Sequence, residues 1–425
     1  MNREAIVVVG ANYGDEGKGL ATHYFTQRAL ARGSKVLNVL YNGGPQRGHT
    51  VEYKNGLRHV FHHFGSGFFD GAPTYFDEDF MVNPIMFRTE LEKLRAIGCE
   101  YGDTFCTNYL RSSNCYISPK CRVITPWDCM INQIVEESRG RDRHGSCGAG
   151  IWETQKRYED PSEDWCLDYE DMVRALKYPA REILKRFLKA IRDEYVPKRL
   201  KEAYGITEIP KKYQNAFYSD GLIDHFIEDL EFMSSYCHTV KEFEYLVKFG
   251  NFRTVIFEGG QGLALDEGNK EALPHVTASK TGSAVPIERA RDICDYIEVC
   301  YVTRSYFTRH GAGPFPTECP VSELGWENPT DGLDLTNVPN KFQGHFRYGK
   351  FDFDEFRERV NRDILNSLAI RTKFIDSCMV THCNEVPPSE LPAKAFTHGY
   401  YTSDTRFAED IVERGRSHLA AWRKE

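Results

Sequence analysis

The chain lacks most of the signatures that would place it at once. Its 13 cysteines include no C-x-x-C pair, so neither a zinc-ribbon spacing nor a disulfide framework is indicated, and a reducing, cytoplasmic setting is expected. No run of 18 apolar residues occurs, which argues against a helix crossing a bilayer. The charged start Met1-Asn2-Arg3-Glu4 does not resemble a secretory leader. Positive charge is not in excess: the net charge is −8. No global basic field exists to hold nucleic acid, and any anionic ligand must be met by local cations. Neither a Walker A loop nor a G-x-G-x-x-G fingerprint is present, which argues against a generic ATPase or dehydrogenase. What remains is a chain of 425 residues, 41% hydrophobic and 27% charged, the balance of a soluble globular protein able to bury a large core.

The most informative segment is Gly14-Asp15-Glu16-Gly17-Lys18-Gly19, directly after the apolar run 5–9. Glycines let backbone N–H groups approach phosphate oxygens, and Lys18 adds positive charge. Two carboxylates beside an anionic ligand are repelled unless they bind a metal or take a proton. Asp15 next to Lys18 therefore suggests phosphate, Mg²⁺ and acid–base chemistry in one place. No Ser or Thr follows Lys18, so the metal ligand that a Walker loop takes from that residue falls to Asp15.

The order strand, glycine-rich loop, helix (about 20–32) and strand (34–42) predicts a large, mainly parallel α/β sheet with a phosphate-loop-like opening. A single domain spanning 1–425 is expected, with helical excursions around 84–98, stopping at Gly98, and across 169–249. Further strands are expected at 254–257, 296–303 and 378–381. The second loop reads Asn42-Gly43-Gly44-Pro45-Gln46-Arg47-Gly48-His49-Thr50. Ligands of parallel sheets bind beyond the carboxyl ends of strands. If both loops leave neighbouring strands there, Asp15 and His49 face one ligand, as the carboxylate base and imidazolium acid that remove a proton and stabilise a leaving oxyanion. A third loop is expected to hold Gln261 between glycines, where its amide can read the edge of a nucleobase.

At these residues the chain resembles the adenylosuccinate synthetase family. Gly14 through Gly19 matches that family's signature loop. Gly43-Gly44 through Thr50, Phe257-Glu258-Gly259-Gly260-Gln261-Gly262, Val276-Thr277 and Thr308-Arg309-His310-Gly311-Ala312-Gly313-Pro314-Phe315-Pro316-Thr317-Glu318 resemble further blocks in the same order. The resemblance implies a ligase that joins L-aspartate to IMP through a 6-phosphoryl intermediate, using GTP and Mg²⁺, as a homodimer in purine nucleotide synthesis. By that resemblance Asp15, His49, Lys18 and Gln261 are catalytic. Asp15 and the Gly48 carbonyl hold the metal. Gly14, Glu16, Gly17, Gly19, Gly48, Thr50, His382, Asn384 and Ser403 meet the triphosphate. Gln46, Ser146, Cys147, Thr277, His310, His345 and Arg347 meet the acceptor and amino acid, and Arg157 is the arginine offered to a partner's substrate.

Four departures from the family pattern carry information. Gln46 replaces an asparagine and keeps the amide. Cys147 replaces a threonine that binds the monophosphate, and a thiol is a weak donor, so Ser146 and backbone N–H groups carry more of that contact. In the stretch Gln343 to Gly349, which the family fills with arginines for aspartate, only Arg347 is a firm cation; His345 is its possible helper. In Thr381-His382-Cys383-Asn384, asparagine stands where an aspartate reads guanine. One acceptor and one donor suit adenine better, so ATP is expected to compete with GTP. Relatives acting on dGMP make that nucleotide the alternative acceptor, with ATP or dATP as donor; Asp15 favours IMP. A regulator that kept the fold and lost the reaction is the remaining alternative.

Overall fold

The computed structural model describes residues 2–100, 114–162, 164–326, 344, 346–386, 396 and 399–414. The β-branched run Ala5-Ile6-Val7-Val8-Val9 forms β1 (Glu4–Gly10), almost wholly buried. Such near-continuous apolar strands belong at the centre of parallel sheets covered on both faces. β1 lies between the strands Thr254–Gly262 and Tyr296–Arg304, parallel to both, with Val7 opposite Phe257 and Val299. The sheet has ten strands. Beyond Thr254–Gly262 come β2 (Val36–Leu40), Thr74–Phe76, Cys115–Ile117 and Cys237–Thr239. Beyond Tyr296–Arg304 come Ile375–Thr381, Tyr400–Thr402 and Val412–Glu413, the last of these antiparallel.

Alternate residues of β1 feed opposite faces. Val7 and Val9 pack with Tyr41, Phe257 and Phe356, whereas Ile6 and Val8 pack with Leu20, Phe25 and Met379. A separate phenylalanine-rich core, including Phe61, Phe64, Phe76, Phe87 and Trp127, lies with the helices Pro84–Glu100, Pro126–Ser138 and Asp220–Tyr236.

The mainly parallel sheet agrees with the sequence expectation, and four details differ. β1 and β2 are not neighbours, because Thr254–Gly262 lies between them. Gln261 is not in a loop: the strand runs unbroken through Gly262. A β-carbon at Gly262 would fall 2.2 Å from the Asn12 carbonyl oxygen, so only glycine lets two backbones pass that closely. Gly98 does not end its helix, which continues to Glu100. The stretch 220–249 is interrupted by the edge strand Cys237–Thr239, whose pairing with Cys115–Ile117 overrides its helical surroundings.

Candidate active site

The loop after β1 turns into α1 (Lys18–Ala31) through Gly14, Asp15 and Gly17, all with positive φ: 98°, 60° and 98°. Its shape is set from inside by Glu16, which is buried. Glu16 Oε1 accepts the N–H groups of Asn12 (3.0 Å) and Gly14 (2.8 Å), and Oε2 takes Lys18 Nζ at 2.7 Å. Burial alone would raise the Glu16 pKa, but Lys18 and these hydrogen bonds outweigh it and hold the group ionised. The Glu16 side chain is therefore turned into the protein. It is an internal staple, because an unpaired carboxylate at that depth is too costly. Asp15 stands partly exposed beside it, and its carbonyl accepts Arg304 Nε at 2.6 Å.

His49 opens the hairpin His49–Glu52/Arg58–Phe61 and packs against the start of α1. A β-carbon on Gly19 would stand 3.0 Å from His49 Cβ. The imidazole Nδ1 lies 2.5 Å from Glu258 Oε1, at the heart of the intervening strand. Glu258 also accepts the Ser66 N–H at 3.0 Å and the Ser66 hydroxyl, and Arg47 NH1 lies 3.4 Å away. Arg47 is itself clamped by the carbonyls of His62 (2.9 Å) and Phe64 (2.6 Å). Burial would raise the Glu258 pKa, yet Arg47 and the hydrogen bonds bring it down to about 2. Burial and the Arg47 charge push His49 down to about 4. At neutral pH the pair is thus a carboxylate, balanced by Arg47, orienting a neutral imidazole. With Nδ1–H aimed at Glu258, the other ring nitrogen faces away. That Nε2 is buried and has no hydrogen-bond partner.

Two amides share this condition. Both polar atoms of Gln46 and both of Gln261 are buried without partners. A β-carbon on Gly43 would lie 2.6 Å from Gln261 Oε1 and 3.0 Å from Gln46 Nε2, so the two side chains converge on that glycine. Buried polar atoms are normally satisfied, so these two amides, like His49 Nε2, are groups that a polar ligand can partner.

Farther along, the loop ending at Gly150 packs on the turn after the strand Phe307–His310. A β-carbon at Gly145 would sit 2.7 Å from both the Ala312 nitrogen and Gly311 Cα. Ser146 bonds Asn132 (2.8 Å) and receives the Gly148 N–H (3.2 Å). Cys147 is a half-buried thiol whose pKa burial raises, consistent with a poor partner for an anion. Thr277 is half-buried, and its N–H bonds the Leu265 carbonyl. The buried Nε2 of His310 has no partner. Arg347, on the strand Phe346–Gly349, pairs with Glu318 (Nε 2.9 Å) and bonds the carbonyls of Gly311 (3.2 Å) and Gly313 (3.0 Å). A cavity of ≈ 570 Å³ lies beside it, lined by Glu318, Phe346, Arg347 and Tyr348. His345 lies outside the described residues.

Arg157 is placed differently from expectation. It is fully buried and forks onto Asp128 at 3.0 and 2.9 Å, with further bonds to the Val123 and Trp165 carbonyls. A guanidinium so committed in its own protomer does not reach a partner's substrate.

At the other end of the site, Thr381 Oγ1 donates to the Glu16 carbonyl at 2.8 Å and lies 2.8 Å from His382 Nδ1. His382 has φ 59°, which turns the chain so that Asn384 is exposed. Ser403 is buried, and its carbonyl accepts the Cys383 N–H at 3.1 Å. Gly17, Thr381, His382, Asn384 and Ser403 therefore form one neighbourhood. Gly19, Gly48 and Thr50 sit near the His49 end.

Among the described residues no three His, Cys, Asp or Glu side chains cluster as a metal cage. Mg²⁺ takes one or two protein oxygens and fills its shell with phosphate and water. Asp15 and the Gly48 carbonyl are oxygen donors of that kind.

Sequence reasoning did not single out Glu258, Arg47, Arg304 or Arg359, whose guanidinium bonds Asn12 Oδ1 at 2.7 Å. One signal was legible: an acid in the otherwise apolar run Val255-Ile256-Phe257-Glu258.

A family model described as adenylosuccinate synthetase matches residues 7–373. Among curated relatives, an adenylosuccinate synthetase of Caldanaerobacter subterraneus subsp. tengcongensis is 30% identical over 317 residues, 73% of this chain and 65% of that protein. One from Methylibium petroleiphilum is 30% identical over 349 residues, 78% of this chain and 67% of that protein. The chain thus spans about two thirds of the length of the curated relatives it matches. Two solved structures share the fold. Fully ligated adenylosuccinate synthetase from Plasmodium falciparum has TM-score 0.59 and 18% identity, covering 97% of this chain and 87% of its own. Succinoaminodeoxyadenylate synthetase of cyanophage S-2L, bound to dGMP and to dATP as an energy donor, has TM-score 0.57 and 16% identity, covering 99% of this chain and 98% of its own.

Proposed function

Because the chain belongs to the adenylosuccinate synthetase family, we propose that it is a carbon–nitrogen ligase. In this reading it transfers the γ-phosphoryl group of a purine triphosphate to the 6-oxygen of a purine nucleoside monophosphate, and the amine of L-aspartate then displaces phosphate at C6. The principal acceptor in this reading is IMP, and the enzyme works as a cytoplasmic homodimer. The observation that carries it is the His49–Glu258 pair, together with the unpartnered amides of Gln46 and Gln261.

Asp15 takes the N1 proton, so that the 6-oxygen becomes nucleophilic. Gln46 and Gln261 orient the base through their free donors and acceptors. His49 enters neutral; to donate to the 6-oxygen through Nε2 it takes up a proton when the anionic substrates arrive, and the Glu258 carboxylate stabilises the imidazolium. Lys18 exchanges part of its bond to Glu16 for a phosphate oxygen. Asp15 and the Gly48 carbonyl would hold Mg²⁺, which when bound offsets triphosphate charge. Arg347 and the adjoining cavity receive the amino acid, and Asn384 meets the donor base, which makes ATP a serious competitor of GTP.

A second acceptor, dGMP, has one specific observation in its favour. The chain shares its fold, at TM-score 0.57, with the cyanophage enzyme bound to dGMP. The test is phosphate release with IMP, GMP and dGMP crossed against GTP, ATP and dATP, with aspartate present. Release that requires neither monophosphate nor aspartate would defeat the ligase reading.

A further inference from the structure

Three segments bring two imidazoles and a guanidinium together. His144 precedes the Gly145–Gly150 loop, His275 precedes Val276-Thr277, and Arg309 lies on Phe307–His310. The two imidazole centroids are 5.2 Å apart, nearly edge-to-face at 65°. A β-carbon at Gly313 would lie 2.7 Å from His275 Cβ and 2.3 Å from Arg309 NH2, so the three side chains share one small space. The guanidinium of Arg309 is spent on the carbonyls of Ala312 (3.1 Å), Pro314 (2.8 Å) and His275 (3.3 Å). His275 Nδ1 is buried and has no partner.

We propose that His144 and His275 together take up an oxyanion of a substrate, in the first place the 5′-phosphate of the acceptor nucleotide, and that they do so as imidazolium donors. This inference rests on the ligase reading of the site. Cys147 is a weak donor, the Ser146 hydroxyl donates to Asn132 and Arg157 is locked in the core, so neither the loop nor Arg157 offers an anion a strong free side-chain donor. The left-handed glycines Gly145, Gly148 and Gly150 shape the backbone of the same loop around that space.

The charges facing the pair explain why it takes protons only with its ligand. Burial, Arg139 and the neighbouring His275 lower the His144 pKa, while Glu136 opposes them. Burial, Arg309 and Arg139 lower that of His275; its hydrogen bond with the His144 backbone and Glu136 oppose them. Arg347 adds repulsion against Arg309. Glu136 does not neutralise the cluster, because it is held by Arg139 at 2.5 Å and by the Gly145 N–H at 3.0 Å. A ring that donates to a backbone carbonyl through one nitrogen can donate to an anion through the other only when protonated. An arriving dianion reverses the local repulsion, so binding draws protons from solution.

Isothermal titration of the full chain with IMP and dGMP, with inosine and with L-aspartate, between pH 6.5 and 8.5, tests this. Monophosphate affinity should fall by about tenfold per pH unit for each proton taken up, and inosine affinity should not. His144→Gln/His275→Gln should weaken monophosphate binding at pH 6.5 by about tenfold or more and flatten the pH profile, with triphosphate affinity unchanged. If the pH dependence appears with aspartate instead, the anion held is a carboxylate and the pair keeps its role. Monophosphate and aspartate binding that is both independent of pH and insensitive to the substitutions overturns the proposal. Should the double variant not fold, titrating His49→Gln with the monophosphate in two buffers of different ionisation enthalpy decides the matter, because that variant no longer takes up the His49 proton: uptake supports the pair and zero proton uptake overturns it. A protein that binds no purine monophosphate at all would defeat the ligase reading itself.

Discussion

Replacing Glu258 by glutamine separates positioning from packing at this site. The carboxylate meets His49 Nδ1, both donors of Ser66, and Arg47. Glutamine preserves the volume but removes the charge, and leaves the buried Arg47 with only the His62 and Phe64 carbonyls. Leaving one member of a buried pair uncompensated costs about 3–5 kcal/mol. The same change frees the His49 ring to turn or to shift its proton, and loss of an orienting carboxylate behind a catalytic imidazole has cost about 10⁴ in turnover elsewhere. A positioned acid or base is itself worth about 10²–10⁴-fold, so Glu258→Gln should lower kcat by at least about 10², with little change in the Kd for nucleotides. Stability is removed from the comparison by Arg47→Met/Glu258→Gln, which deletes both charges. The double variant should recover much of the melting temperature and none of the turnover. Phosphate release measured at saturating substrates, beside thermal melts, reads both quantities. If the double variant regains both stability and kcat, Glu258 merely balances Arg47 and the positioning argument fails.

Four other outcomes are expected. Asp15→Ala should abolish phosphate release while triphosphate binding, followed by titration, survives in part; normal turnover would reassign the base. The free protein should lose stability in acid. The His49 pKa of about 4 lies below its ordinary 6.5, so the unfolded chain binds the extra proton between those values. Stability is then complete above pH 6.5 and falls by about 3 kcal/mol on the way to pH 4. Glu258 adds a second loss between its ordinary 4.5 and about 2. Thermal melts of His49→Gln should show a smaller loss in the first window, where His63, His144 and His275 are also held below their ordinary value by burial, and an unchanged profile would contradict the assignment. Asn384→Asp should move donor preference toward GTP by about 1–3 kcal/mol, read as the ratio of kcat/KM for GTP and ATP; an unmoved ratio means the residue does not meet the base. Arg157→Ala should destabilise the fold by about 3–5 kcal/mol without raising the monophosphate KM of the folded fraction, whereas a selective KM effect would return this arginine to the substrate.

The parallel sheet was legible because its signals are local: a β-branched run, then glycines, then a helix. The first and second loops stand out in the sequence for the same reason, since Asp15, Lys18 and His49 lie within a few residues of glycines. What local sequence does not encode is which strands are neighbours. The strand Thr254–Gly262 inserts between β1 and β2, and that insertion brings Glu258 beneath His49 and Gln261 beside Gln46. Two side chains 209 positions apart leave no pairing signal in a single chain. Arg157 failed as an expectation for a related reason: its partner Asp128 lies 29 residues away on another helix. A buried bidentate arginine and a catalytic arginine read alike as letters.

The same principle governs the loop that carries Asp15. An aspartate at φ 60° with glycines on either side at 98° and, two positions on, 98° is costly to hold, since each non-glycine residue in that region costs roughly 1 kcal/mol or more. Such a backbone persists only when its surroundings over-determine it. Glu16 binds two of its N–H groups from within. Arg304 grips the Asp15 carbonyl, Thr381 the Glu16 carbonyl, and Arg359 both the Ala11 carbonyl (3.2 Å) and the Asn12 side chain. Three of these four restraints come from residues nearly three hundred positions or more away. The loop is therefore built before any ligand arrives, and the donor that it can release is Lys18, whose bond to Glu16 a triphosphate oxygen can replace in kind. Arg304 and Arg359 act on the backbone under the Asp15 carboxylate, so their loss should appear in kcat while nucleotide affinity, carried by Lys18 and the helix start, changes far less.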